Sequence, residues 1–113
     1  MKKLINLTPH PINIMDGGKI VKTYPSEGFL RVSTEVKNAG FTVDDIPIVE
    51  TKFGETTFVF GETEGLPEYN LGTFYIVSQI VKTANSNRSD LLVPANIVRD
   101  QNGNIIGCES LSR

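Results

Sequence analysis

The side chains best suited to binding a charged ligand include two arginines in the C-terminal third of the sequence, Arg88 and Arg99. Arg88 lies within residues 85–90, a segment rich in asparagine and serine. Arg99 precedes the dipeptide Asn102-Gly103, a strong sequence signal for a β-hairpin. Arginine can hold a phosphate or carboxylate through two parallel hydrogen bonds, so both positions are candidates for binding an anion.

The predicted hairpin defines the surroundings of Arg99. If Asn102-Gly103 forms a two-residue type I′ turn, Arg99 pairs with Ile106 and shares its face with Ile97. An arginine on an apolar face needs an anion, which is either a carboxylate of the protein or a phosphate of a ligand. Both interpretations stay open from the sequence.

An aromatic strand comes before this region. Residues 73–77 form the most continuous apolar run, in which Phe74 and Tyr75 point to opposite faces. One ring should enter the core, and the other is free to stack on a flat ligand. Ser78 then begins a short helix, where free N–H groups suit an anion and capping is the equally good alternative. An aromatic strand, a polar loop and two arginines are together typical of nucleotide binding.

No motif predicts catalysis. His10 and Cys108 are the one histidine and the one cysteine. A nucleophilic pair of these two would lack a third, orienting group, and a zinc site normally needs four such ligands. Phosphate-binding glycine loops and the serine elbow of hydrolases are absent from the sequence. We therefore expect no catalytic residue, no bound metal and no cofactor.

Composition indicates one globular domain spanning residues 1–113, with 39% hydrophobic residues and a net charge of −2. Seven acidic residues against Lys52 alone occupy residues 44–68. This acidic segment would repel a phosphate backbone, which argues against nucleic-acid binding. Residues 1–10 lack an export core, and no apolar run is long enough to cross a bilayer. The single thiol excludes an internal disulfide, so we expect a soluble protein of the cytoplasm.

Short alternating runs separated by turn residues predict a mainly β fold, an antiparallel Greek-key or barrel-like sheet with one short helix, and α+β as the alternative. Asp16-Gly17-Gly18 predicts an early hairpin, and Asn38-Ala39-Gly40 predicts the end of a strand. The predicted strands cover residues 4–7, 12–15, 19–22, 29–36, 46–53, 56–60, 73–77, 91–94, 97–100 and 105–108.

Five segments together resemble a family of small phage and prophage proteins: INLTPH at 5–10, GLPE at 65–68, FYIVS at 74–78, RSDLLVP at 88–94 and VRDQNGNIIGC at 98–108. Within that group, the size, the β-rich layout and the aromatic and arginine residues are similar to the Thoeris anti-defence proteins, which sequester a nucleotide signal. The resemblance implies binding of a cyclic ADP-ribose derivative without cleavage, in the host cytoplasm, by a homo-oligomer with sites between subunits. By order along the chain, it places the ligand-binding aromatic at Phe74 or Tyr75, the asparagine at Asn85 or Asn87, and the arginines at Arg88 and Arg99.

Two other classes of function fit the same sequence. A phage structural or decoration protein would also be small and β-rich, and it would need no phosphate site. An inhibitor module would bind a host protein, for example through the acidic residues 44–68.

Overall fold

The computed structural model describes residues 2–59 and 65–113. The chain is mainly strand (62%), which confirms the predicted mainly β class with one short helix. The described elements are, in chain order, β1 (Lys3–Asn6), β2 (Ile12–Asp16), β3 (Lys19–Tyr24), β4 (Phe29–Val43), β5 (Ile46–Val59), β6 (Thr73–Ile76), α1 (Gln79–Ala84), β7 (Leu91–Arg99) and β8 (Ile105–Ser112).

Six of the strands form one nearly closed, barrel-like sheet in the order β1-β6-β7-β8-β2-β3. The pairs β2–β3 and β7–β8 are antiparallel, as expected for hairpins. The pairs β1–β6, β6–β7 and β2–β8 are parallel. These parallel pairs join strands that are distant in the chain, so no local turn signal announces them.

The core lies where β6 is covered by its neighbours on both sides. Tyr75 and Val77 pack with Leu91 of β7, Val81 of α1 and two further buried residues, Leu7 and Leu30. Tyr75, Ile76 and Val77 are all buried, so the end of this run is covered on both faces, which is typical of a central strand and explains its apolar character. Helix α1 lies against the base of the β4–β5 hairpin and closes one side of this core.

The final hairpin confirms part of the predicted register. Val98 opposes Gly107, as expected, but Arg99 pairs with Ile105 and not with Ile106. The predicted two-residue turn is wrong because Asp100 accepts hydrogen bonds from the backbone N–H groups of Asn102 (2.9 Å) and Asn104 (3.0 Å). These bonds stabilise a loop over residues 100–104, and a bulge beside Arg99 absorbs the change of register.

Strands β4 and β5 form a separate two-stranded hairpin that extends away from the barrel. The strand end predicted at Asn38-Ala39-Gly40 is wrong. Gly40 adopts a φ of +90° and donates its N–H to the Asn38 side chain (2.7 Å), so the chain makes a bulge and continues to Val43. The hairpin turns at Asp44 and Asp45, which both have positive φ. The radius of gyration is 16.8 Å, against about 13 Å for a compact chain of this length.

The two segments predicted at 46–53 and 56–60 are therefore one strand, β5, although Phe60 lies outside the described residues. A bulge between the pairs Val32–Thr56 and Thr34–Phe53 explains why the alternation is interrupted there. Most of the acidic segment at residues 44–68 belongs to this hairpin. Glu62 and Glu64 lie outside the part of the chain that the structure describes.

Candidate functional site

A cavity of about 350 Å³ opens beside Phe74, and we call it the Phe74 cavity. Phe74 is half-buried in its wall, and Tyr69 lies at the rim with 52% of its surface exposed. The volume is near the lower end for small-molecule sites, enough for one flat ring with a polar substituent. Its remaining lining residues are Lys2, Leu71, Gly72, Thr73, Ser89, Asp90 and Arg113.

Two cationic residues, Lys2 and Arg113, are among those that line this cavity. The Lys2 ammonium lies 5.8 Å from the centre of the Phe74 ring, within the range of a cation–π interaction, and Arg113 is a second cationic residue of the lining. Both residues are exposed, and in the described part of the chain neither forms an ion pair, since the buried carboxylate of this wall, Asp90, pairs with Arg88. The arrangement combines an aromatic face for stacking with positive charge for a phosphate or carboxylate.

Arg88 lies behind this cavity in an internal ion pair. Its Nε and Nη2 donate to the two carboxylate oxygens of Asp90 at 2.9 and 2.7 Å, and Nη2 also donates to the Pro67 carbonyl at 2.8 Å. The hydrogen bond to Asp90 raises the pKa of Arg88, against an opposing effect of burial. Because Arg88 neutralises Asp90, which lines the Phe74 cavity, this wall does not repel an anion.

The other predicted site residues on this side of the molecule differ in burial and in their hydrogen bonds. Tyr75 is in the core at 5% exposure, so Phe74 is the ring that faces the cavity. Ser78 is half-buried at the start of the six-residue helix and makes no side-chain capping bond within the described residues. Asn85 donates to Thr56 (3.0 Å) and to the Val81 carbonyl (2.9 Å), which ties α1 to the base of the hairpin. Asn87 is exposed.

Arg99 lies apart from these residues. It is at the C-terminal end of β7, whereas Arg88 precedes the first residue of that nine-residue strand. Its Nη1 donates to the Gly103 carbonyl at 2.8 Å, and the residue is exposed. Within one chain, Arg88 and Arg99 therefore lie at opposite ends of β7 and do not share a site.

A second cavity of about 400 Å³ places His10 and Cys108 together. Most of its lining is apolar, and it includes Ile12, Ile97 and Ile106. Burial raises the pKa of the Cys108 thiol, although hydrogen bonds with the backbone of residues 95 and 110 oppose this. A nucleophilic cysteine requires the opposite shift, so the environment disfavours a reactive thiolate.

This environment predicts the reactivity of Cys108. The thiol is 1% exposed, and we expect it to react with Ellman's reagent only as the protein unfolds. The unfolded thiol ionises near its ordinary pKa of about 8.5, whereas burial raises the pKa of the folded thiol. The free energy of unfolding should therefore fall as the pH rises above that value. Cys108→Ser should remove the labelling and weaken this pH dependence, and fast labelling of the native protein would contradict the burial of the thiol.

Neither a metal site nor a transmembrane helix is found in residues 2–59 and 65–113. No three His, Cys, Asp or Glu side chains there are grouped so that they could hold an ion. Within the same ranges, no helix has both the length and the apolar character needed to cross a bilayer.

Comparisons with known proteins add no relative to this description. No protein-family model, curated protein or solved structure matches the chain.

Of the cationic and aromatic residues that line the cavity, the sequence predicts only Phe74 and does not predict Lys2, Tyr69 or Arg113. Lys2 reaches Phe74 because β1 pairs in parallel with β6, with Lys3 opposite Thr73. A single sequence carries no local signal for that pairing. The position of Tyr69 just before an aromatic strand was the one available hint, since binding residues often lie in loops at strand ends.

Proposed function

We propose that this protein binds a nucleotide-class ligand in the Phe74 cavity and sequesters it without chemical change. The observation that carries the proposal is the half-buried Phe74 ring in the wall of a cavity that the cationic residues Lys2 and Arg113 also line, with the Lys2 ammonium 5.8 Å from the ring centre. A nucleobase stacks on such a ring, and phosphates are attracted to the two cations. The raised pKa of the Cys108 thiol gives no support to an alternative in which the protein is a cysteine-dependent enzyme.

The resemblance to the Thoeris anti-defence proteins gives this proposal its specific form. The ligand is then a cyclic ADP-ribose derivative, and the protein is a phage product that withholds the signal in the host cytoplasm. A homo-oligomer with sites between subunits would also give Arg99 a role. Arg99 lies at the far end of β7 from the Phe74 cavity, so it meets a ligand there only from a second copy of the chain.

Thermal shift with ADP-ribose and cyclic ADP-ribose tests the ligand class. A ligand at a hundred times its dissociation constant stabilises the folded state by about 2.7 kcal/mol. Phe74→Ala should weaken binding by about 1–3 kcal/mol because it removes the stacking face. Ile20→Ala is the control, since Ile20 is an exposed apolar residue of β3 that belongs neither to the cavity lining nor to the β4–β5 hairpin, and it should leave the shift unchanged.

Two results would count against the proposal. The first is a wild-type protein that neither nucleotide stabilises. The second is an equal loss of the shift in Phe74→Ala and Ile20→Ala, which would show that the Phe74 ring is not part of the binding site. Recovery of intact nucleotide after heat denaturation of the complex is the expected result for storage, and a hydrolysed product would replace storage with catalysis.

The β4–β5 hairpin favours a second candidate function, that of a phage structural or decoration protein. Such proteins act by assembling, and an extended hairpin with exposed apolar residues suits assembly. In this case the same thermal-shift screen should show no response to nucleotides.

A further inference from the structure

The outer part of the β4–β5 hairpin, residues 34–53, has two chemically different faces. Cross-strand pairs share a face, so the observed register assigns each side chain to one of them. One face carries opposite charges directly across from each other, in the pairs Glu35–Lys52 and Lys37–Glu50. The other, which we call the arm face, carries no charge and consists of Thr34, Val36, Asn38, Val49, Thr51 and Phe53.

The arm face continues the apolar side of the hairpin base. At the base, Leu30 is buried in the core, and Val32 and Phe58 pack against it. The same face farther out has no such cover, since Val36, Val49 and Phe53 are 63%, 51% and 42% exposed. Beyond the second bulge, the tip residues Phe41, Val43 and Ile46 are each more than half exposed. The apolar alternation typical of a strand that packs on a core therefore continues beyond the residues that contact the core.

An isolated two-stranded hairpin is marginal in water, and a third layer or strand is normally needed to stabilise it. We propose that the arm face is covered by the arm face of a second copy of this chain, in a two-fold symmetric dimer. The surface is consistent with this partner because a two-fold interface brings the same residues together, and an uncharged face does so without opposing like charges. A dimer formed through the charged face would not be stabilised in the same way, because its opposite charges already lie across from each other within one hairpin.

The area agrees with this arrangement. The six residues of the arm face expose on the order of 500 Å² per copy, so two copies would bury about 1,000 Å², the lower limit for a specific interface. The tip residues would add to this area. If the two-fold axis passes near the Val36–Thr51 pair, Phe53 of each copy lies against Val49 of the partner subunit.

Two threonines of β5 allow a matched test of this proposal. Thr51 opposes Val36 on the arm face, whereas Thr57 opposes Arg31 on the other face, and both are exposed. The wild type should have a mass of twice 12.4 kDa, or a higher even multiple, by light scattering. Thr51→Glu should lower the mass to half that of the wild type at the same concentration, and Thr57→Glu should leave it unchanged. Val49→Lys provides a second disruption, and far-UV circular dichroism confirms that each variant is folded.

A cross-link gives the complementary positive result. Thr51→Cys should form a disulfide-linked dimer on mild oxidation, because its position is close to the two-fold axis, while Thr57→Cys should not. Cys108 is buried and does not compete. A monomeric wild type, or equal effects at positions 51 and 57, would overturn the proposal. The Phe74 cavity is formed within one chain, so nucleotide-induced stabilisation of a monomer would leave the proposed ligand site intact while refuting the dimer.

Discussion

Replacing Arg88 by alanine is expected to lower the free energy of unfolding by about 3–5 kcal/mol, because it leaves a buried carboxylate without its partner. Asp90 is 1% exposed and Arg88 is 18% exposed, so solvent cannot take over the role of the guanidinium. Arg88→Ala also removes the hydrogen bond to the Pro67 carbonyl. Arg88→Lys should recover only part of the loss, because an ammonium does not reproduce the two parallel bonds.

Arg99→Ala is the control for this measurement. Arg99 is exposed and its one described hydrogen bond is to the Gly103 carbonyl, so we expect a change below about 1 kcal/mol. Urea unfolding of both variants would decide the matter. Similar small losses in the two variants would contradict a structural role for the Arg88–Asp90 pair. Because Arg88→Ala is expected to be unstable, loss of ligand binding in that variant would say little about the site.

Asn6→Ala is expected to have the second largest effect, about 3 kcal/mol of destabilisation. The Asn6 side chain is fully buried, and its Nδ2 donates to the carbonyls of His10 (2.8 Å) and Tyr24 (2.9 Å). Its Oδ1 accepts hydrogen bonds from both the backbone N–H and the hydroxyl of Thr8. Alanine would leave the Tyr24 carbonyl and the Thr8 N–H without this partner, and each such group costs about 1–3 kcal/mol, whereas the Thr8 hydroxyl can still donate to the His10 carbonyl at 3.0 Å.

Asn13→Ala provides the comparison for Asn6. Asn13 also links separate strands, because its Nδ2 donates to the Ile106 carbonyl and its Oδ1 accepts from Thr23. Those bonds are accessible to solvent, so water can replace them, and the loss should stay below about 1 kcal/mol. Equal losses at positions 6 and 13 would show that burial of the Asn6 amide is not what matters.

The sequence predicts well what depends on neighbours in the chain. The hairpin at Gly17 and Gly18 forms with both glycines at positive φ, which the residue types already favour. The sequence correctly predicts that Phe74 and Tyr75 lie on opposite faces of the strand. Which of the two rings faces the cavity is decided by burial, which the sequence does not show. The register at Arg99 differs because the Asp100 side chain organises the loop, an interaction that turn statistics do not describe.

Contacts between distant segments account for most of what the sequence does not predict. Asn6 reads as an interruption in an apolar run, yet it is the polar centre that joins β1 to the end of β3. Lys2 and Phe74 come together through a parallel pair, and Arg88 and Arg99 separate because β7 runs between them. The sequence does not predict the exposure of the arm face for another reason. Thr34, Asn38 and Thr51 give these strands an ordinary alternating pattern, and only the position of the core in the structure shows that this face is uncovered.

Native mass spectrometry of the protein purified from cells that make a cyclic ADP-ribose signal shows whether the protein holds that signal. We expect the wild type to retain a small molecule with the mass of the intact nucleotide, and Phe74→Ala not to retain it. A folded wild-type protein that carries no added mass, from cells in which the signal is present, would contradict sequestration.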